Sequence, residues 1–420
     1  MTERRPTAEG GGPTAGAFAA LDAAAIRWAL LRDDDPAGDG GDVDLLVHPA
    51  DVDRLEDVLA SVGFARVLTW RHGYHRFFVA YDADDDAWVK LDVVTQLAFR
   101  TGREVPRGMA QAVLARAGRQ GDVVRLLAED EFWALLLHCL LDRGTIPSRH
   151  LERLRFLALA GEPRGPLFTP LSASPQASSA GTHARAGDRD ALMALAASLD
   201  ATLVRPGPVV RVSRAAIRLA APVIKTVRRP GVSLAILGPD GAGKTTLIGS
   251  LTSRFFFPGR SYYVGLYGGR RRRAATTSRL PGVALTGQLL AAWRAYLGGA
   301  MQRRRGRLVV FDRYGYDALL PSAKGDSGRK RRVRGMLLGR LSPRPDLVVI
   351  LDAPPERLFA RKQEHDVADL ERQRRAYLAL AERLRSGGPV EIVDASRDAA
   401  AVHRQVSAAL WRVFARRRHR

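Results

Sequence analysis

The stretch Val232 to Leu247, VSLAILGPDGAGKTTL, constrains this chain more than any other. A six-residue run of apolar and β-branched character, Val232 to Leu237, predicts a buried parallel strand. It leads into Gly238-Pro239-Asp240-Gly241-Ala242-Gly243-Lys244-Thr245, which fits G-x-x-x-x-G-K-[ST], and Thr246 follows. Glycines let backbone N–H groups turn inward around phosphate oxygens, a lysine at the position of Lys244 reaches the outer phosphates, and a hydroxyl at Thr245 can ligate Mg²⁺. Leu247, Ile248 and Leu251 fall at helical spacing, so a helix opening at Lys244 would point its positive end at the same anion. Strand, loop and helix in this order predict a nucleoside triphosphate site at Gly238 to Thr246.

With 420 residues, 46% of them hydrophobic, the chain can bury two or three cores. Its formal charge is +22, unevenly placed: residues 1–100 hold 18 acidic and 10 basic side chains, a net of −8, which leaves +30 for the rest. Such a field favours anionic partners, meaning nucleotides, phosphorylated small molecules, nucleic acid or an anionic membrane face. The excess is nearly all arginine in an Ala- and Gly-rich chain, which makes nucleic acid the minority reading. Cys139, the only cysteine, excludes an intramolecular disulfide and suits a cytoplasmic setting. Its apolar run, Phe132 to Leu141, is shorter than the roughly 20 residues a membrane span needs. Residues 1–17, mostly Gly, Pro, Thr and Ala, predict a disordered tail.

From Phe18 to Leu31 the apolar spacing predicts a helix, and Asp42-Val-Asp-Leu-Leu-Val47 a strand. Alternation puts Asp42 and Asp44 on one strand face, where two carboxylates can share a divalent metal. A helix from Ala50 to Val62, stopped by Gly63, and strands near Arg66–Trp70, Tyr74–Tyr81 and Ala87–Val94 follow, the last presenting Lys90 and Asp92 on a common face. This order resembles the polymerase-β-type nucleotidyltransferase fold, an α+β domain over residues 18–104. The resemblance implies that Asp42, Asp44 and Asp92 hold Mg²⁺. Leu30-Leu-Arg-Asp-Asp stands where that family carries a Gly-Ser or Gly-Gly pair, and Gly40-Gly41 abuts Asp42 instead. Without that triphosphate cradle, the module is expected to bind rather than to complete nucleotidyl transfer.

Residues 105–160, with Phe132, Leu135, Leu136, Cys139 and Leu140 at helical spacing, predict a helical extension of this module. Residues 161–230 read as a linker, Pro-, Ser-, Gly- and Ala-rich to Gly187, then a helix at Arg189 to Leu199 and a basic connecting segment, Val209 to Arg229. The basic segment leaves an anionic membrane surface open as a partner, although Pro222 interrupts it and favours a helix lying on the next domain.

Beyond the phosphate loop, Arg307-Leu-Val-Val-Phe-Asp312 predicts a strand ending in a carboxylate, with Arg313 and Tyr314 next. Asp346 to Asp352 and Glu391 to Asp394 predict two more strands, and Pro355 to Lys362 a helix. Strands and helices alternate, so the expectation is an α/β domain with a parallel sheet flanked by helices. GPDGAGKTT, FDRY, LDAPPE with ARK, and VDAS together resemble thymidylate kinase and its relatives over residues 231–415. The resemblance implies ATP and Mg²⁺ on Gly238 to Thr246, with Asp240 seating the acceptor and Thr245 and Asp312 ordering the metal. It further implies that Arg313 and, from a lid, Arg361 grip phosphate, and that Asp394 and Ala395 border the adenine. In place of that family's Arg-Glu-Pro segment the chain reads Tyr262 to Arg273, ending in four arginines, which leaves the acceptor's identity open.

The sequence therefore predicts an ATP-dependent phosphotransferase of the thymidylate kinase type, acting on a nucleoside monophosphate or a similar phosphorylated acceptor. A bifunctional kinase and nucleotidyltransferase of nucleotide-sugar or surface-polysaccharide metabolism is the first rival. An ATP-gated binding protein acting on nucleic acid or membrane is the second. A homodimer stays open.

Overall fold

The computed structural model describes residues 12–32, 42–67, 75–208, 212, 216, 231–265, 283–321, 335–362 and 366–418. The chain divides into two compact units, the first made of Met1–Asp82 and Ala87–Pro222 and the second of Val223–Arg418 with the short stretch Ala83–Asp86. Most of the basic segment Val209–Arg229, the Arg270–Arg273 run, Gly40-Gly41 and most of the predicted tail lie outside the described residues.

The first unit is built on a seven-stranded mixed sheet with the order β3-β4-β5-β2-β1-β7-β6. Its strands are β1 (Trp28–Leu30), β2 (Asp42–Val47), β3 (Ala65–Val67), β4 (His75–Asp82), β5 (Ala87–Val94), β6 (Gly118–Gln120) and β7 (Val123–Arg125). Alternation sorts its side chains. Leu45, Val47, Leu91 and Val93 join Ala17, Phe18, Leu21, Leu55 and Leu59 of the helices Pro13–Ala23 and Val52–Ser61. Leu46 and Val94 join the cluster built by the helices Ala128–Leu137 and Ser148–Ala160. Asp44 and Asp92, two residues before Leu46 and Val94, share the parity of this second face.

Three local readings differ from the expectation. The helix predicted over Phe18–Leu31 is instead Pro13–Ala23 followed by strand β1. Proline suits the first turn, where its missing N–H is not needed, so the helix starts inside the predicted tail. Ala25, at φ 50°, turns the chain out of the helix, and Trp28 and Ala29 then pair antiparallel with Val47 and Leu46. Within the predicted helical extension, Gly118–Arg125 forms the hairpin β6–β7. The stretch Gly161–Gly187 holds short helices, Phe168–Leu171 and Ala180–Ala186, whose Leu171, Ala180 and Ala184 are buried in the same cluster as Trp133. Trp133 stacks on Phe168 and its indole N–H donates to the Pro163 carbonyl at 2.5 Å, so small residues here serve close packing rather than a free tether.

The second unit carries a five-stranded sheet with the order β12-β11-β8-β10-β9, parallel at each pairing. Its strands are β8 (Val232–Leu237), β9 (Gly259–Tyr263), β10 (Leu308–Asp312), β11 (Leu347–Asp352) and β12 (Val390–Asp394). All six residues of β8 are buried, as its central place between β10 and β11 requires. Ala235, Leu237, Val309, Phe311, Val348 and Ile350 pack with Tyr296 of the helix Val283–Arg304 and with Tyr377 and Leu380 of the helix Val367–Arg385. The helices Lys244–Arg254 and Ala399–Arg418 pack on each other, the first also on β9 and β10 and the second on β8, β11 and β12. No helix of the described residues is long and apolar enough to cross a membrane.

Candidate functional site

In a parallel sheet whose central strand has later strands on either side, the crevice lies beyond the carboxyl ends, where neighbouring loops part in opposite directions. Here β8 ends at Leu237 and the chain passes through Gly238 to Gly243 into the helix Lys244–Arg254. The backbone explains the glycines. Gly238 stands at φ 142°, and a Cβ there would come within 2.7 Å of the Leu351 carbonyl oxygen. Gly241, at φ 85°, would meet the Leu358 carbonyl at 2.8 Å. Gly243, at φ 84°, has nothing within 4 Å of such a Cβ. Gly238 therefore lets the loop lie against β11 and Gly241 lets it lie against the helix Pro355–Arg361, whereas the third leaves open space at the helix N-terminus.

Lys244 is buried, and its Nζ donates to the carbonyls of Gly238 at 2.9 Å and Pro239 at 2.7 Å, with Asp240 at 3.6 Å. Burial lowers its pKa from 10.5 to about 8, the charge of Arg313 adding to the effect while Asp240, Asp317 and Asp312 oppose it. Thr245 and Thr246 are exposed on the first turn, and Ala242 is buried under the loop.

Strand β10 delivers Asp312 and Arg313 to the same edge. Asp312 pairs in register with Ile236, one residue short of the end of β8, and burial pushes its carboxyl above the usual range. Arg313 donates its backbone N–H to the Ile236 carbonyl and then adopts φ 61°, a left-handed conformation that only a few per cent of non-glycine residues take. Its Nη2 donates to Asp240 Oδ1 at 2.5 Å, so the phosphate loop and the strand-terminal arginine are tied side chain to side chain.

The other expected residues stand further along the edge. Arg361 ends the helix Pro355–Arg361 and donates Nη1 to the Ala395 carbonyl at 3.0 Å, so it holds the turn after β12. The exposed Asp394 accepts from the backbone N–H and the hydroxyl of Ser396, which hold its carboxyl below its ordinary range. Ala395 donates its N–H to the Asp352 carbonyl at 2.7 Å. Three residues that sequence reasoning passed over complete the edge. Arg374 forks onto Asp352 at 2.8 and 3.0 Å, and Asp317 accepts from the Tyr377 hydroxyl at 3.1 Å while facing Arg313. Asp317 and Tyr377 lie 60 positions apart, beyond the reach of any spacing rule.

In the first unit, Asp42 and Asp44 of β2 pair in register with Lys90 and Asp92 of β5. Asp44 is ion-paired to Arg32, and Asp92 takes two contacts from His75 Nδ1, at 2.9 and 3.1 Å. The side chain of Asp42 lies outside the described residues. Among the described residues no group of three or more His, Cys, Asp and Glu side chains is placed to hold a metal ion.

No family model matches the chain. No curated protein matches it either. Among solved structures it is similar to a thymidylate kinase from Candida albicans, at 18% identity over 42% of this chain and 89% of that one, with a TM-score of 0.35. It is also similar to a deoxyadenosine kinase from M. mycoides with bound dCTP, at 12% identity over 41% and 96% of the two chains, with a TM-score of 0.29. Scores this low transfer no chemistry.

Proposed function

We propose that this chain is an ATP-dependent phosphotransferase that moves the γ-phosphoryl group of ATP to a nucleoside monophosphate or a similar phosphorylated acceptor. One observation carries the reading. Lys244, Asp240 and Arg313 are interlocked at the carboxyl edge of a parallel sheet, around a glycine loop with open space at Gly243. A purely structural loop has no need of a buried ammonium and a strained arginine at one point.

The residues present fit the expected ligands. Backbone groups of Gly238 to Thr246 would hold the ATP phosphates, and the hydroxyl of Thr245 with the carboxylate of Asp312 would hold Mg²⁺. When bound, ATP supplies the phosphoryl group and Mg²⁺ lessens its charge. The chain's own part is electrostatic. Lys244 places a cation beside the loop, and Arg313 offers a planar fork that matches two phosphate oxygens. Because Asp240 already occupies one arm of that fork, an acceptor phosphate must compete with a carboxylate for it. That competition favours a dianionic acceptor over a neutral one.

The experiment is a screen of nucleoside monophosphates, sugar phosphates and nucleosides with labelled ATP and Mg²⁺. Transfer to a nucleoside monophosphate that disappears in Lys244→Ala is the expected result. Hydrolysis of ATP with no transfer to any acceptor would overturn the reading and favour an ATP-gated binding protein.

A further inference from the structure

Asp317 has no part in the mechanism above, yet it is placed where a carboxylate is costly. It lies in the 3-10 turn Gly315–Leu319 that follows Asp312-Arg313-Tyr314, with its side chain only 7% exposed. The Tyr377 hydroxyl, itself buried, donates to Oδ1 at 3.1 Å and fixes the plane of the carboxylate. Oδ2 receives no hydrogen bond among the described residues and stands 3.6 Å from Arg313 Nη1. Buried carboxylate oxygens are ordinarily hydrogen-bonded, and one left without a donor needs a physical reason.

The reason lies across the guanidinium. Arg313 stands between two carboxylates, held at 2.5 Å by Asp240 of the phosphate loop and at 3.6 Å by the buried Asp317. Asp240 belongs to a loop that polyphosphate would fill with negative charge, which weakens its hold on a shared cation. Asp317 sits behind the arginine, out of that path, and its open Oδ2 is aimed at the fork.

We propose that Asp317 is a positioning residue for Arg313, the buried carboxylate onto which the guanidinium closes when a bound polyphosphate loosens its bond to Asp240. Closing requires less than an ångström of movement, from 3.6 Å to about 2.8 Å, the length of a charge-assisted hydrogen bond. Arg313 then stands fixed from behind while its other arm is released toward the transferring group. The kinetic consequence rests on the phosphotransferase reading, whereas the contact itself does not.

Two measurements on the full chain test this. In the first, ADP release is followed for wild type, Asp317→Asn, Arg313→Lys and the double variant, with ATP, Mg²⁺ and the acceptor found by the screen. Asparagine keeps the shape and the bond to Tyr377 but loses the charge. The expected result is a fall in kcat of about tenfold or more with the KM for ATP unchanged within about twofold, and almost no further loss when Asp317→Asn is added to Arg313→Lys. Unchanged kcat in Asp317→Asn, or losses that simply multiply, would overturn the proposal. Should asparagine unfold the chain, Asp317→Ser is judged by the same criteria.

The second measurement needs no turnover. The side-chain Nε–Hε signal of Arg313 is assigned with Arg313→Lys in protein labelled with ¹⁵N-arginine, and Mg²⁺ with ATP is added. A shift in wild type that is lost in Asp317→Asn supports the closure, and an equal shift in both sinks it. If wild type shows the shift yet releases no ADP with any acceptor, the phosphotransferase reading fails and the spectra alone decide the role of Asp317.

Discussion

At Lys244 the cost of burying an ammonium and the need to meet an anion act on the same atom. Two carbonyls satisfy the charged form, yet burial still lowers the pKa to about 8. The folded value lies below that of the unfolded chain, so between about pH 8 and 10.5 the unfolded state binds more protons and stability rises with pH. Ligand binding has the opposite sign, because polyphosphate favours the charged form and must restore the lost proton. ATP affinity is therefore expected to hold up to about pH 8 and then to fall by up to about tenfold per pH unit, with proton uptake on binding. Calorimetry at pH 7 to 9.5, in buffers of different ionisation enthalpy, measures both, and a flat profile would contradict the assignment. Lys244→Ala should abolish turnover and flatten the profile while shifting Tm by only a few degrees, since the side chain contributes little to the core. Wild-type turnover in that variant would remove the phosphate loop from the mechanism.

Four strands of the second unit were legible in sequence because β8, β10 and β11 are largely apolar runs and Asp312, Asp352 and Asp394 end β10, β11 and β12 with an acid. Strand β9, Gly259-Arg-Ser-Tyr-Tyr263, carries no such run and was not expected. The loop was legible for the same local reason, since its glycines answer to backbone sterics within a few residues. What was not legible is long-range. The tie between Asp240 and Arg313 spans 73 positions, and the φ of 61° at Arg313 leaves no mark in composition. In the first unit, Trp28 and Ala29 fitted a helical period and became a strand because β2 offers them a partner, a tertiary choice that periodicity cannot register. The glycines make a prediction at this scale. Gly238→Ala should cost about 1–3 kcal/mol, because φ is strained and the new Cβ meets a backbone carbonyl at 2.7 Å. Gly243→Ala pays only for φ, about 1 kcal/mol, but puts its methyl into open space at the helix N-terminus. Thermal melts should therefore rank Gly238→Ala as the less stable, whereas ATP titration should show the larger loss of affinity per kcal/mol in Gly243→Ala. The reverse ranking of stabilities would mean that the loop is not seated on β11 as described.

Across the whole molecule the two units differ in how their acids are used. Asp240 and Asp312 of the second unit face cations that an anionic ligand would share. In the first unit the register puts Asp44 beside Asp92, as metal-dependent nucleotidyl transfer needs, but Arg32 pairs with Asp44 and His75 contacts Asp92. A guanidinium and an imidazole held on these carboxylates compete with a divalent ion for the same oxygens. The chain also has Leu30-Leu-Arg-Asp-Asp where a triphosphate cradle would be expected, and Arg32, the cation of that run, is the one bound to Asp44. We therefore predict that the first unit does not complete nucleotidyl transfer. The full chain carrying Lys244→Ala, with its phosphate loop silenced, should release no pyrophosphate above background from labelled nucleoside triphosphates with Mg²⁺ or Mn²⁺ across candidate acceptors. Keeping the chain whole matters, because residues 161–203 contribute Leu167, Leu171, Ala180, Ala184 and Leu199 to the first unit's core. A fragment ending at residue 160 would lose that packing and could be inactive for want of a fold. Robust pyrophosphate release that vanishes when Asp42→Asn and Asp44→Asn are added would overturn the prediction and make the chain bifunctional. Mn²⁺ binding without release, strengthened by Arg32→Gln, would show a metal site held shut by the chain's own arginine.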